Sequence, residues 1–106
     1  MVELVKENFD AEVLEFQGVV VVDFWSPKCG PCMELMPEFE AFAARNEGKA
    51  KFCKLDTAGN KRLAIAQKVM GLPTMVFYKN GEKVQIYDAD SINMDTMQSK
   101  LDELVG

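Results

Sequence analysis

Cys29 and Cys32 stand three positions apart around Gly30-Pro31, behind Trp25-Ser26-Pro27-Lys28. Two thiols at that spacing can close a small disulfide. They follow the apolar run Val19-Val20-Val21-Val22-Asp23-Phe24-Trp25, which reads as a buried strand, and precede Met33-Glu34-Leu35-Met36, which reads as the opening of a helix. A cysteine at a helix N-terminus meets unpaired backbone N–H groups and the positive end of the helix dipole. Both favour thiolate over thiol, so Cys29 is expected to have a lowered pKa and to be nucleophilic near neutral pH. That is the chemistry of a dithiol that attacks disulfides in other molecules.

The rest of the composition narrows the choice. The chain contains no histidine, which removes Cys–His nucleophile pairs, histidine metal ligands and a histidine proton shuttle. Zinc takes four ligands, and Cys53 is the one further cysteine, so a metal site is not expected. A purely structural disulfide over so short a loop would constrain little chain entropy. The net charge of −5 argues against nucleic acid or an anionic membrane as the main partner. No apolar stretch reaches the roughly 20 residues of a membrane helix, and Met1-Val2-Glu3-Leu4-Val5-Lys6 does not read as a signal peptide. With three cysteines the chain is no disulfide-rich secreted scaffold, and a reducing cytoplasm is the expected location. Its 106 residues predict one domain over 1–106.

The elements that must position the cysteines follow from periodicity and punctuation. Val2 to Val5 is a short strand candidate, and Asn8 to Gln17 reads as a helix with Asn8 as N-cap and Gly18 as stop. Val19 to Trp25 has the pattern of a strand covered on both faces. Gly30 to Arg45 reads as a long helix buried through Leu35, Met36, Phe39, Phe42 and Ala43, with Pro37 expected to kink it. Lys51 to Asp56 is a strand. Asn60 to Met70 reads as a helix that can pack through Leu63, Ile65, Ala66 and Val69, with Gly71 as its stop. Thr74 to Tyr78 and Lys83 to Tyr87 are strands joined at Asn80-Gly81, a strong hairpin signal, and Asn93 to Val105 closes the chain as a helix. The order β-α-β-α-β-α-β-β-α predicts an α/β fold: one mixed sheet with helices on both faces.

This pattern resembles the thioredoxin family over nearly the whole chain. The residues that carry the resemblance are Val22-Asp23-Phe24-Trp25, Cys29-Gly30-Pro31-Cys32, Pro37, Gly71-Leu72-Pro73-Thr74 and Phe77-Tyr78-Lys79-Asn80-Gly81. The resemblance implies a central sheet flanked by four helices and reduction of protein disulfides by dithiol–disulfide exchange. It implies Cys29 as attacking and Cys32 as resolving thiol, Asp23 as the buried acceptor of the Cys32 proton, and Lys54 as the cation moderating Asp23. Asp23 reaching the strand end, and Lys54 as a plain surface lysine, are the structural alternatives. Gly30 and Pro31 are read as a rigid spacer suited to the turn and the first helical turn. Trp25 packs beside the turn, Pro73 is implied to be cis and to face Cys29, and Gly71-Leu72 offers backbone to an extended target peptide. No bound cofactor is implied. The implied partners are a flavoprotein thioredoxin reductase and target proteins with disulfides, met by a monomer.

Three departures from the family pattern bear on partner choice. Lys28 stands where the family usually has tryptophan, Met33 follows Cys32 where lysine is frequent, and Tyr87-Asp88-Ala89-Asp90 lacks the glycine after the last strand. Lys28 should favour the Cys29 thiolate further, which also opens the alternative of a more oxidising thiol oxidant or isomerase. A binding module with incidental cysteines is the reading from another class. Cys53 reads as a small buried hydrophobe. The seven methionines read as core filler, with Met33 and Met75 as candidates for a docking surface. Lys61 to Pro73 and Phe24-Trp25-Ser26-Pro27 further resemble a clostridial subgroup. Some of its members serve amino-acid reductases such as glycine reductase. Others are reduced by flavin-dependent reductases drawing on ferredoxin or NADPH.

Overall fold

A strand with apolar residues on both sides belongs in the middle of a sheet, and Val19–Trp25 takes that place. In the computed structural model, which describes residues 1–106, the elements run β1 (Val2–Leu4), a helical turn (Asp10–Leu14), β2 (Val19–Trp25), α1 (Gly30–Arg45), β3 (Lys51–Asp56), α2 (Lys61–Ala66), β4 (Thr74–Lys79), β5 (Glu82–Tyr87) and α3 (Met94–Val105). The sheet order is β1-β3-β2-β4-β5. β3 runs parallel to both β1 and β2, while β4 is antiparallel to β2 and to β5. The α1 crossover makes β2 and β3 parallel, and the Asn80-Gly81 hairpin makes β4 and β5 antiparallel. This is the mixed sheet with four helical segments that the sequence predicts.

Side chains of β2 alternate between two cores. Val20, Val22 and Phe24 pack with Phe9, Val13, Cys53, Leu55, Ala64 and Tyr78, on the face of the N-terminal turn and α2. Val19 and Val21 pack with Phe39 and Phe42 of α1 and Met97 and Leu101 of α3. Each fully buried Leu, Val or Phe contributes about 1.5–3 kcal/mol through the hydrophobic effect. Asp23 shares the parity of Val19 and Val21, so it lies on the α1/α3 face. No helix is long and apolar enough to cross a membrane.

Several local expectations differ from the structure. The N-terminal helix is one wide π-helical turn, in which the Glu15 N–H donates to Asp10 O at 2.8 Å. Asn8 does not cap it; its side chain ties the preceding loop, accepting from Val5 N–H at 2.8 Å and donating to Glu3 O at 3.0 Å. α2 stops at Ala66 because the chain turns at Lys68, whose φ is 64°. Val69 reaches the core from the following turn, Leu63 is half-buried, and Ile65 and Ala66 are exposed. Met75 is fully buried in β4, so it adds nothing to a docking surface. The reading of Gly30–Arg45 as one helix with Pro37 inside it agrees with the structure; Pro37 is exposed and removes one intrahelical donor.

The hairpin follows its sequence closely. Asn80 (φ 52°) and Gly81 (φ 84°) are both left-handed, as a two-residue turn of this hand requires. A Cβ at residue 81 would also collide with the Leu14 carbonyl, so glycine is required twice over. A bulge at Val84 shifts the β4–β5 register after the Phe77–Gln85 pair.

Candidate active site

The cysteine pair is built at the point where β2 becomes α1. Trp25 ends the strand, and the Thr57 N–H and hydroxyl both donate to its carbonyl, at 2.8 and 3.1 Å. Ser26 then makes the turn: its Oγ accepts from Lys28 N–H at 3.2 Å and its carbonyl from Cys29 N–H at 3.0 Å. Cys29 has extended backbone (φ −93°, ψ 103°) and is the N-cap of α1, with its sulfur accepting the Cys32 N–H at 3.2 Å. A disulfide joins Cys29 to Cys32, whose Cα atoms are 5.2 Å apart. Cys29 is half-buried, whereas Cys32 is 1% exposed. An incoming disulfide therefore reaches the first sulfur and not the second.

The helix terminus supplies the electrostatics at Cys29. Charge on its sulfur meets the Cys32 N–H and the positive end of a 16-residue helix. Pro31 lies in the first turn, where its missing N–H is no loss. Gly30 differs from the sequence reading: it is helical without left-handed backbone, and a Cβ there would touch nothing within 4 Å. Turn geometry does not demand glycine at that position; its missing side chain leaves the surface beside the sulfurs open. Lys28 is exposed beside Cys29.

Asp23 lies in the sheet on the face that α1 covers. It is 1% exposed and its Oδ2 has no hydrogen-bond partner. Burial pushes its pKa up from 3.8 to about 7, with Lys54 pulling in the opposite direction. The parallel register sets Lys54 directly beside Asp23. Lys54 is half-buried, and its Nζ lies 5.6 Å from the Trp25 ring centroid and 4.0 Å from Glu3 Oε1. The register thus sets Lys54 beside Asp23, where the resemblance implies it, and its ammonium also approaches Trp25. Trp25 is half-buried, and its indole N–H is buried without a partner.

The Leu72–Pro73 peptide is cis, and Pro73 directly precedes β4. Thr74 pairs with Phe24, so Pro73 sits at the end of the sheet to which β2 delivers the cysteines. Thr74 Oγ donates to Gly71 O at 2.6 Å and closes the turn before β4. A cleft of about 460 Å³ opens beside Pro73, between the 68–74 segment and Asp88-Ala89-Asp90. Gly71 is exposed and Leu72 half-buried. Cys53 lies away from this region, fully buried in the α2-side core, and burial pushes its thiol up to about 12. Of the residues singled out in the sequence, the fold groups Cys29, Cys32, Asp23, Trp25 and Lys54 around the ends of β2 and β3 and sets Pro73 at the same end of the sheet, while Cys53 and Met75 lie in the cores. It adds Ser26 and Thr57; Ser26 was detectable as a turn former, whereas Thr57 is joined to Trp25 by tertiary structure alone.

Comparison with known proteins agrees with this arrangement. Residues 1–103 match the family model described as Thioredoxin. The chain is 48% identical over 103 residues to a thioredoxin of Peptoclostridium acidaminophilum, covering 94% of each protein. It is 44% identical to a thioredoxin of Acetoanaerobium sticklandii, covering 94% of this chain and 98% of the relative. Among solved structures, a mutant thioredoxin from Halobacterium salinarum NRC-1 superposes with a TM-score of 0.85 at 28% identity, over 99% of this chain and 90% of that one.

Proposed function

The chain belongs to the thioredoxin family of thiol–disulfide oxidoreductases, and from that premise we propose that it reduces protein disulfides with electrons received from a flavoenzyme reductase. The observation that carries this reading is the asymmetry of the pair: a half-buried Cys29 whose sulfur receives the Cys32 N–H, ahead of a buried Cys32.

The Cys29 thiolate attacks one sulfur of the target disulfide. That bond breaks, the leaving thiolate takes a proton from water, and a mixed disulfide joins Cys29 to the target. The Cys32 thiol then passes its proton to the Asp23 carboxylate and attacks the Cys29 sulfur. The target's second sulfur leaves as a thiolate and takes a proton from water, Asp23 returning its own to solvent, so the target departs as a dithiol carrying two electrons and Cys29–Cys32 is again a disulfide. Asp23 suits this step because a group with pKa about 7 accepts and releases a proton near neutral pH. Lys54 keeps that pKa from rising further. Trp25, Lys28, Gly30 and Pro31 form the rim around the sulfurs, and Gly71, Leu72 and Pro73 the backbone against which an extended target aligns. No bound cofactor enters these steps.

A reductant of this kind works in a reducing compartment, and we place it in the cytoplasm as a monomer. The reductase draws on ferredoxin or NADPH. Service to an amino-acid reductase is the finer alternative, supported by the resemblance of Lys61 to Pro73 to a clostridial subgroup. The oxidant or isomerase reading rests on Lys28 beside Cys29. Equilibration of the Cys29/Cys32 couple against a dithiol standard separates them. A potential of about −270 mV supports the reductant; about −180 mV or higher overturns it in favour of the oxidant or isomerase.

A further inference from the structure

Charge is divided sharply across the active end of the sheet. From Thr57 to Gly81 the chain carries Lys61, Arg62, Lys68 and Lys79 and no acid. From Val84 to Ser99 it carries Asp88, Asp90 and Asp95 and no base. The sheet order places the start of β4 between β2, which delivers the cysteines, and the end of β5, which delivers Asp88. Pro73 therefore has the dithiol on one side and the acidic wall on the other, with the cleft of about 460 Å³ between Leu72-Pro73 and Asp88–Asp90.

The two carboxylates are held differently. Asp88 Oδ1 fixes the loop, accepting from Asp90 N–H at 3.1 Å, Ser91 N–H at 3.1 Å and Ser91 Oγ at 3.0 Å. Asp90 is exposed and accepts no side-chain bond. Neither residue takes part in any of the three ion pairs of the molecule, although both line the cleft. Lys68 lines the facing side of the same cleft but forms no ion pair with either carboxylate, so the acidic wall, at the edge of the surface where a target must lie, is left complementary to a cation on that target.

We propose that Asp88 and Asp90 are specificity determinants that select target segments with a lysine or arginine within two residues of the attacked cysteine. The inference rests on the disulfide-reductase reading and names its substrate class. The occupant of the cleft is an extended segment of the target. Successive residues of such a segment advance about 3.3 Å, so a basic side chain two positions from its cysteine can span from the dithiol turn past Pro73 to the 88–90 loop. Because the carboxylates stay in water, the selection is modest and sensitive to salt.

The test uses the full chain, reduced beforehand, and three peptides that share one disulfide and differ only in having Lys, Ser or Glu beside the cysteine. Each rate is divided by that of dithiothreitol on the same peptide, which removes intrinsic reactivity. At low ionic strength the Lys peptide is expected to exceed the Glu peptide by about three- to tenfold, a preference that fades in about 1 M salt. Asp88→Asn/Asp90→Asn keeps the Oδ1 acceptor that holds the loop. It is expected to bring the ratio of the Lys peptide rate to the Glu peptide rate to about one. A preference that survives the double substitution, equal loss for all three peptides, or no preference at the outset overturns the proposal. Failure to reduce any peptide overturns the disulfide-reductase reading itself.

Discussion

Asp23→Asn removes a charge while nearly preserving shape, and its effect on stability follows from the burial of Asp23. An aspartate that titrates near 3.8 when unfolded and at about 7 when folded binds more protons in the native state. Stability therefore falls as pH rises between those two values and is level above them. Each decade is worth about 1.4 kcal/mol, so burying Asp23 costs the fold about 2 kcal/mol at pH 5, where it must be kept protonated, and about 4 kcal/mol at pH 8, where it is buried ionised. The amide of the variant carries its own burial penalty, but that penalty is independent of pH and cancels between the two conditions. Urea unfolding of the oxidised protein, followed by far-UV circular dichroism, measures the difference. Relative to wild type, the variant should gain about 2–3 kcal/mol more at pH 8 than at pH 5, a further midpoint shift of about 1–2 M urea. A stability difference that does not change with pH, or that grows as pH falls, would refute the burial argument.

Four further outcomes are expected. The same Asp23→Asn variant should resolve mixed disulfides more slowly at pH 7: an ordinary thiol is only about 3% ionised there, so loss of the base slows Cys32 by up to about thirtyfold. Rapid-quench measurement of mixed-disulfide decay should show that deficit shrinking by pH 9. Lys54→Met removes the cation that opposes burial, so Asp23 should titrate above about 7; carboxyl chemical shifts followed over pH check the direction. Gly81→Ala forces a side chain into left-handed backbone and against the Leu14 carbonyl, and should cost about 2 kcal/mol or more in denaturant unfolding. Asn46→Ala breaks a buried amide pair with Gln98, two bonds of 2.8 Å joining the end of α1 to α3. It also removes a 2.8 Å bond to Phe42 O, for about 1–3 kcal/mol of stability by urea titration.

The sequence exposed those parts of the site that local chemistry dictates. Cys29-Gly30-Pro31-Cys32 between an apolar strand and a helical stripe announces an N-capping sulfur, because strand, turn and helix each have their own period. Asp23 within four valines and a phenylalanine announces a buried carboxylate for the same reason. Asn80-Gly81 announces its turn, since few residues tolerate two successive left-handed positions. The misread elements are those settled by tertiary contacts. Phe9 and Val13 had helical spacing, yet only one wide turn forms there, with both side chains still packed in the α2-side core. Ile65 had the spacing of a packing residue, but α2 ends one residue later and leaves it on the surface. The acidic wall of the cleft was visible only as a missing glycine. That Asp88 and Asp90 face Lys68 across Pro73 depends on strand order, which no local pattern encodes.

Trapping the intermediate tests the central claim of an attacking Cys29 and a resolving Cys32 most directly. Reduced Cys32→Ser protein is incubated with a disulfide-bearing target, quenched with an alkylating agent and mapped by mass spectrometry. A mixed disulfide between Cys29 and the target should accumulate, while the Cys29→Ser protein should yield none. Adducts at Cys53, or equal trapping by the Cys29→Ser protein, would contradict the assignment.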